Sequence, residues 1–186
     1  MSTRRRQASG FAAVPSFLVA LCAASGVHAA DAERPRCVGA EQAAWDRCQG
    51  VANFAPGGKY EGEFKHGAPD GKGVATFHDG DRYEGDFVNG LYEGQGAYTS
   101  SDGSKYVGAF SKGKRQGQGV ASLPNGDVYT GPFEAGKPDG FGSYAQADGH
   151  KYVGMFKDGV RYGQGVLYDA QGNIEWGGMW DDRAER

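Results

Sequence analysis

The sequence predicts an all-β fold: an elongated single-layer antiparallel sheet built from tandem hairpins, with a short helical cap at its N-terminal end. Three observations predict it. A five-residue phrase, Tyr60-Glu61-Gly62-Glu63-Phe64, returns as Tyr83 to Phe87, Tyr106 to Phe110, Tyr129 to Phe133 and Tyr152 to Phe156 at a constant step of 23 residues, within the range that marks repeat arrays. The glycines keep the same step, with Gly67, Gly90, Gly113, Gly136 and Gly159 following their Tyr and pairs such as Gly71/Gly73 and Gly117/Gly119 coming next. Each unit ends on a turn dipeptide, Asp79-Gly80, Asp102-Gly103, Asn125-Gly126, Asp148-Gly149 or Gln171-Gly172. Asp-Gly or Asn-Gly between strand-like runs is a strong hairpin signal. A truncated sixth copy, Trp176-Gly177-Gly178-Met179-Trp180, closes the series.

Within one unit, strand alternation sends Tyr60, Gly62 and Phe64 to one face and Glu61, Glu63 and Lys65 to the other. A turn is expected over His66-Gly67-Ala68-Pro69-Asp70 and a second strand from Gly71 to Phe77. Glycine weakens a strand interior unless something lies on it. Gly62, Gly71 and Gly73 are therefore read as places where a Tyr or Phe ring lies flat on the backbone, each ring offering roughly 150 to 250 Å² of burial. Two strands per unit at about 4.8 Å each give a ribbon of roughly 50 Å over five units, and strand twist makes one face a trough. The last half unit supplies a first strand with nothing after it, an edge that Asp181, Asp182 and Arg183 are expected to protect by charge.

A unit reading Tyr-x-Gly-x-Phe, then a turn glycine, then Gly-x-Gly, then an Asp-Gly or Asn-Gly turn resembles the MORN repeat (membrane occupation and recognition nexus). The resemblance covers residues 60 to 180 and holds six phases at once. It implies a ribbon of antiparallel hairpins used for docking or scaffolding. Relatives carry the repeat beside a phosphatidylinositol phosphate kinase or a protein lysine methyltransferase, and neither activity is carried over to this sequence.

The chain reads as three parts. Residues 1–30 look like a secretory signal: basic Arg4-Arg5-Arg6, an apolar run from Phe11 to Ala24, and small residues ending Ala29-Ala30. The run is short for a membrane span. A lipoprotein signal ending at Cys22 is disfavoured by the bulk of Leu21, and a twin-arginine signal by the residues after the arginines. The expected location is therefore exported, periplasmic or extracellular, after cleavage near Ala29 or Ala30. Residues 31–59 form a cap containing a degenerate repeat, because Cys48 to Phe54 superposes on Gly71 to Phe77 at the same step and terminal repeats are usually atypical. Good helix formers at Glu41 to Arg47 predict one or two helical turns there. Residues 60–186 hold five full repeats and the terminal half repeat. Cys37 and Cys48 are the cysteines left once Cys22 is removed with the signal, and an exported compartment favours their disulfide.

Composition narrows the function. The 33 glycines of 186 residues make a poor globular core, a limit that a repeat array escapes by burying surface only between neighbours. Residues 1–29 carry three arginines and no acid, so their removal takes the formal net charge of −3 to −6. An acidic chain is a poor partner for nucleic acid or an anionic membrane surface, both of which call for clustered Lys and Arg. The compact cluster Lys112, Lys114, Arg115 reads as a solvated hairpin turn. His66, His78 and His150 occupy different turn positions without a second ligand at metal spacing. Asp79-Gly80-Asp81 and Asn125-Gly126-Asp127 fall short of a calcium loop, and the recurring Gly-x-Gly is not followed by a helix as a phosphate loop is. No catalytic constellation, metal site or cofactor is expected.

The expectation is a non-enzymatic binding module that holds a protein partner, or a second copy of itself, through its aromatic trough or its sheet edge. The residues expected to carry binding are Tyr60, Tyr83, Tyr106, Tyr129 and Tyr152 with Phe64, Phe87, Phe110, Phe133 and Phe156. The competing role for these rings, and above all for the Phe column, is packing on glycine. The runner-up is a glycan or envelope polymer, with sugar rings on the aromatic face and Glu61, Asp86 and Glu93 taking hydroxyl hydrogen bonds. If the N-terminal reading is right, the exported chain begins at Ala30 or Asp31 by N-terminal sequencing. Unreduced peptide mapping then returns Cys37 and Cys48 in one linked species, and free thiols at both positions contradict it.

Overall fold

The computed structural model describes residues 34–182. The expected export signal at 1–30, and Arg183, lie outside the described residues. Those residues form one sheet whose strands follow chain order: β1 Cys48–Phe54, β2 Gly58–Lys65, β3 Ala68–Thr76, β4 Arg82–Val88, β5 Leu91–Thr99, β6 Lys105–Ser111 and β7 Lys114–Ser122. It continues through β8 Val128–Glu134, β9 Lys137–Pro138, β10 Gly140–Ala145, β11 Lys151–Lys157, β12 Val160–Tyr168 and β13 Ile174–Asp181. Neighbouring strands pair antiparallel, and β9 lies off the main path, pairing with β8. The short β9 has a local cause. Pro132 stands where other units have Glu63, Asp86, Ala109 and Met155, and Pro has no N–H to give the ladder.

The turn inside each unit is tighter than the sequence suggested. His66 and Gly67 both take positive φ, 48° and 79°, as the two central residues of a type I′ hairpin turn must. Two residues therefore suffice, and β3 begins at Ala68 rather than Gly71. The same pair of positive φ values recurs at Asn89-Gly90, Lys112-Gly113, Ala135-Gly136 and Asp158-Gly159.

Register aligns one glycine from each strand except β9 into a row across the sheet: Gly50, Gly62, Gly73, Gly85, Gly96 and on to Gly165 and Gly178. The tyrosine rings lie on this row. A Cβ at Gly119 would sit 2.5 and 2.6 Å from Cε2 and Cζ of Tyr106, and one at Gly108 would meet the Tyr106 hydroxyl at 2.6 Å. Tyr60, Tyr83, Tyr129 and Tyr152 cover their own glycine pairs in the same way. Each hydroxyl then donates to the carbonyl three residues on, as Tyr106 does to Ala109 at 2.9 Å, so the phenol is buried without an orphaned donor.

Stacked along the ribbon, the rings form one ladder of edge-to-face contacts. Tyr60 meets Phe64 of its own unit at 5.1 Å and Phe87 of the next at 4.9 Å, and Tyr83, Tyr106 and Tyr129 repeat the pattern. Edge-to-face pairs contribute about 0.5 to 1.5 kcal/mol each beyond the area they bury. Trp45 closes the ladder on Phe64 at 4.9 Å, and Trp180 closes it on Tyr152 at 5.2 Å.

The cap is less helical than predicted. A single 3-10 turn, Gln42–Ala44, is present, because the residues after it are held by tertiary contacts. The Trp45 carbonyl accepts the Gly67 N–H at 2.7 Å and Asp46 accepts the His66 N–H at 3.0 Å. Cys37 and Cys48 are bonded. The disulfide ties Arg34–Cys37 along the first edge, where Cys37 N–H donates to Gln49 and Gln49 N–H donates to Pro35, both at 2.8 Å. A loop of this size adds on the order of 2 to 3 kcal/mol in the chain-entropy account. At the other end, Asp182 pairs with Arg161 at 2.6 Å instead of standing off the edge.

Gly119→Val is expected to lower unfolding free energy by about 1 to 3 kcal/mol through overpacking on Tyr106, although Val suits a strand better than Gly. Gly177, whose added Cβ meets nothing closer than 3.7 Å, is the matched control, and Gly177→Ala is expected to change stability little. Denaturant midpoints decide it; an unchanged midpoint for Gly119→Val removes the ring-on-glycine account.

Candidate functional site

The ten repeated rings expected to carry binding are the core of the sheet. Tyr60, Tyr83, Tyr106, Tyr129 and Tyr152 are 0 to 3% exposed, and Phe64, Phe87, Phe110, Phe133 and Phe156 are 0 to 5% exposed. Their faces are spent on glycine and on one another, and their hydroxyls on backbone carbonyls. What a ligand meets on the ring face is the layer of residues around them.

Register identifies that layer. Across the sheet, the tyrosines alternate with Ala52, Ala75, Tyr98, Ala121, Tyr144 and Leu167. Opposite or beside each Phe stands a second variable residue: Pro69, Tyr92, Arg115, Pro138 or Arg161. These cover the notch between consecutive rings. Tyr92 stacks on Tyr83 at 3.8 Å, the Arg115 guanidinium lies 5.6 Å from the Tyr106 centroid and 5.2 Å from Phe133, and Arg161 lies 4.1 Å over Trp180. The carbonyl at each of these positions also accepts the turn amide of the next unit, as Tyr92 does from Gly113 and Arg115 from Gly136, both at 2.9 Å.

Where the alternating residue is Ala, the surface sinks. A depression of about 430 Å³ lies at Ala75 between Phe54, Phe77, Pro69 and Tyr92. Another, of about 620 Å³, lies at Ala121 between Phe77, Tyr92, Tyr98, Leu123 and Arg115. A third, of about 730 Å³, runs from Arg115 and Leu123 past Tyr144 and Pro138 to Leu167 and Arg161. Neighbouring depressions share Phe77 and Tyr92, then Arg115, Ala121 and Leu123, so they adjoin in one row, a segmented groove along the ring face. On the opposite face, near the cap, a depression of about 920 Å³ is bordered by Arg36, Glu61, Lys72 and Glu84 together with Val51 and Val74.

Two carboxylates fix the aromatic walls. Asp81 accepts the Tyr98 hydroxyl, the Ser100 hydroxyl and the Ser101 N–H. Asp127 accepts the Tyr144 hydroxyl at 2.5 Å and the Ala147 N–H at 2.9 Å. The Tyr98 hydroxyl holds the Asp81 carboxyl below the usual carboxylate range, and the Tyr144 hydroxyl does the same for Asp127. Burial, then the acceptor bond, pushes the Tyr144 phenol up to about 12. The Arg115 guanidinium is shifted down by burial. Among the described residues no cluster of three or more His, Cys, Asp or Glu is arranged to hold a metal ion.

The MORN repeat model matches residues 60–82, 83–105, 106–128, 129–151 and 152–174, five units in succession and most of the chain. The chain is a MORN-repeat protein. Two solved structures show a loose likeness. The SAS-4 (dCPAP) TCP domain of Drosophila melanogaster, solved with a proline-rich motif of Ana2 (dSTIL), is 13% identical over 90% of this chain and 96% of its own, at a TM-score of 0.32. A point mutant of the TCP10 domain of Danio rerio CPAP is 15% identical over 70% and 71%, at a TM-score of 0.27. No curated protein matches the chain.

MORN units explain what the sequence reading missed. The groove is lined at positions that do not repeat, such as Tyr92, Tyr98, Leu123 and Tyr144, and a search for periodic residues passes over them. Arg115, read as part of a solvated turn, lies against two rings. The signal was present as the departures from the repeat: Tyr98 and Tyr144 where other units have Ala75, Ala121 and Leu167.

The wall carboxylates give a pH dependence. Asp127 has its folded pKa depressed, so its contribution to stability is fully present above the ordinary carboxylate pKa and is lost as pH falls through the folded value. Asp127→Asn is expected to be less stable at pH 7 and to lose less between about pH 5 and pH 3 than the native chain. Urea midpoints across that range test it, and parallel slopes for the two proteins contradict the assignment.

Proposed function

We propose that this MORN-repeat protein is a non-enzymatic, exported binding module that holds an extended segment of a protein partner in the groove along its ring face. The observation that supports the reading is the groove itself. It runs over several units as adjoining depressions, it is walled by Phe77, Tyr92, Tyr98, Leu123 and Tyr144, and its lining varies from unit to unit while the ladder beneath stays constant. Leu123 leaves 39% of its surface exposed. A partly apolar groove with a few placed polar groups is the usual form of a recognition site. Export is supported by the signal-like first 30 residues and by the Cys37–Cys48 bond, which persists in an oxidising compartment.

The acids suggested for sugar hydroxyls are engaged within the fold. Glu61 pairs with Lys59, Asp86 with Lys72, and Glu93 accepts the Ser111 hydroxyl and the Lys112 N–H. Protein is therefore favoured over glycan. A random peptide library displayed on phage and panned on the immobilised exported chain is expected to enrich apolar-rich peptides. Leu123→Asp is expected to weaken their binding by about tenfold or more. Val107→Asp, on the opposite face and 58% exposed in the native chain, is expected to leave it unchanged. Equal losses from both substitutions, or binding of soluble cell-wall fragments in place of peptides, overturn the reading.

A further inference from the structure

Arg115 lies where two of the depressions meet, lining both. One side of its guanidinium is fixed: Nη2 donates to the Gly136 carbonyl at 2.5 Å, and Cζ lies 5.6 Å from the Tyr106 centroid and 5.2 Å from that of Phe133. A guanidinium presents five N–H donors in a planar fork suited to a carboxylate. Among the described residues, no carboxylate lies within ion-pair distance of Arg115. Arg161, at the matching place two units on, has such a carboxylate in Asp182 at 2.6 Å. The array thus shows the same cation twice, once with its acid supplied by the chain and once without.

The charges bordering the depression are of both signs, with the cations in excess. Lys105 and Lys114 border the depression with Arg115. Of the acids that border it, Asp81 is saturated by Tyr98, Ser100 and Ser101, and Asp79 accepts the Asp81 N–H. Beside the guanidinium the floor is apolar, with Ala121 recessed between Tyr98 and Leu123. A half-buried cation without a counter-charge, next to an apolar recess, matches a ligand with a carboxylate a short distance from an apolar side chain. We infer that the groove's partner is an acidic peptide segment, with an apolar side chain seated over Ala121 and an Asp, Glu or C-terminal carboxylate on the Arg115 fork.

Phosphate polymers and anionic bilayers share the negative charge but fit less well. They are held by many basic residues acting together, whereas a chain whose net charge falls to −6 without its first 29 residues repels them. A single carboxylate paired with one recessed guanidinium escapes that repulsion.

The inference rests on the groove being the docking surface, and its test separates the two. A random dodecapeptide library is panned in parallel on the native exported chain, Arg115→Gln, Arg115→Met and Leu123→Asp. Met keeps an apolar stem on the rings, so it still reports if Gln disturbs the packing. The native pool is expected to be enriched in Asp or Glu within a few positions of an aromatic or aliphatic residue. The two Arg115 variants are expected to bind those peptides about tenfold to a hundredfold more weakly and to select apolar peptides without acidic bias. Apolar enrichment with no acidic bias in the native pool overturns the inference and leaves the groove standing. Absence of any enrichment that Leu123→Asp removes overturns both. Salt-sensitive sedimentation of the native chain with phosphatidylglycerol vesicles, lost in both Arg115 variants, also overturns it and moves Arg115 to a lipid surface.

Discussion

A tyrosine ring laid flat across two glycines of adjacent strands is the contact on which the rest of this structure depends. A single-layer sheet has no second layer to bury its apolar side chains against, so it must bury them against its own backbone. Backbone is reachable only where no Cβ intervenes. Tyr106 needs both Gly108 on its own strand and Gly119 on the next, and an added Cβ at either meets the ring at a distance no packed structure tolerates. Lying flat, the ring also brings its hydroxyl within reach of the Ala109 carbonyl, which explains why Tyr fills this column and Phe the other. The 23-residue period follows, because it is the chain length needed to bring the next Tyr onto the next pair of glycines.

A ladder made this way has ends, and the two are closed differently. At the first, Trp45 takes the role that Pro69, Tyr92 and Arg115 play farther along: its carbonyl accepts the Gly67 amide and its ring meets Phe64. A 3-10 turn and the disulfide hold it there, so the cap imitates a repeat in contacts more than in secondary structure. At the other end, Trp176 and Trp180 replace Tyr and Phe and meet each other at 4.5 Å. Larger rings at the terminus cover the area that a following unit otherwise covers.

Periodicity made the fold legible in the sequence. The Tyr, Phe and Gly columns and the places of the two kinds of turn could be read from spacing, because each is required in every unit, and the disulfide from Cys37 and Cys48 being the cysteines left in the cap. Turn length was less legible: the type I′ geometry at His66-Gly67 accepts residues such as His, Lys and Ala at positive φ, which composition does not announce. The cap's helix failed for a related reason, since helix-forming residues from Glu41 to Arg47 were claimed by long-range contacts that local propensity cannot see. The candidate site was the least legible part. Regularity drew attention to the ten rings, and regularity is the mark of a structural demand that every unit shares.

The same logic says where recognition can reside. The position beside each Phe must supply a backbone carbonyl to the next turn and something flat or compact to cover two rings, and Pro, Tyr and Arg all meet that demand. Side-chain identity there is consequently free to vary without disturbing the glycine row or the ladder. The alternating position beside each Tyr tolerates Ala, Tyr or Leu on the same terms, with Asp81 and Asp127 bracing the larger rings where they occur. Surface relief along the groove is set by these two columns: Ala lowers the floor, Tyr98 and Tyr144 raise walls, and Arg115 places a charge at the base. A chain of nearly identical units therefore presents a groove that is different at every step. That difference is what a binding module needs to distinguish one partner segment, in one register, from another.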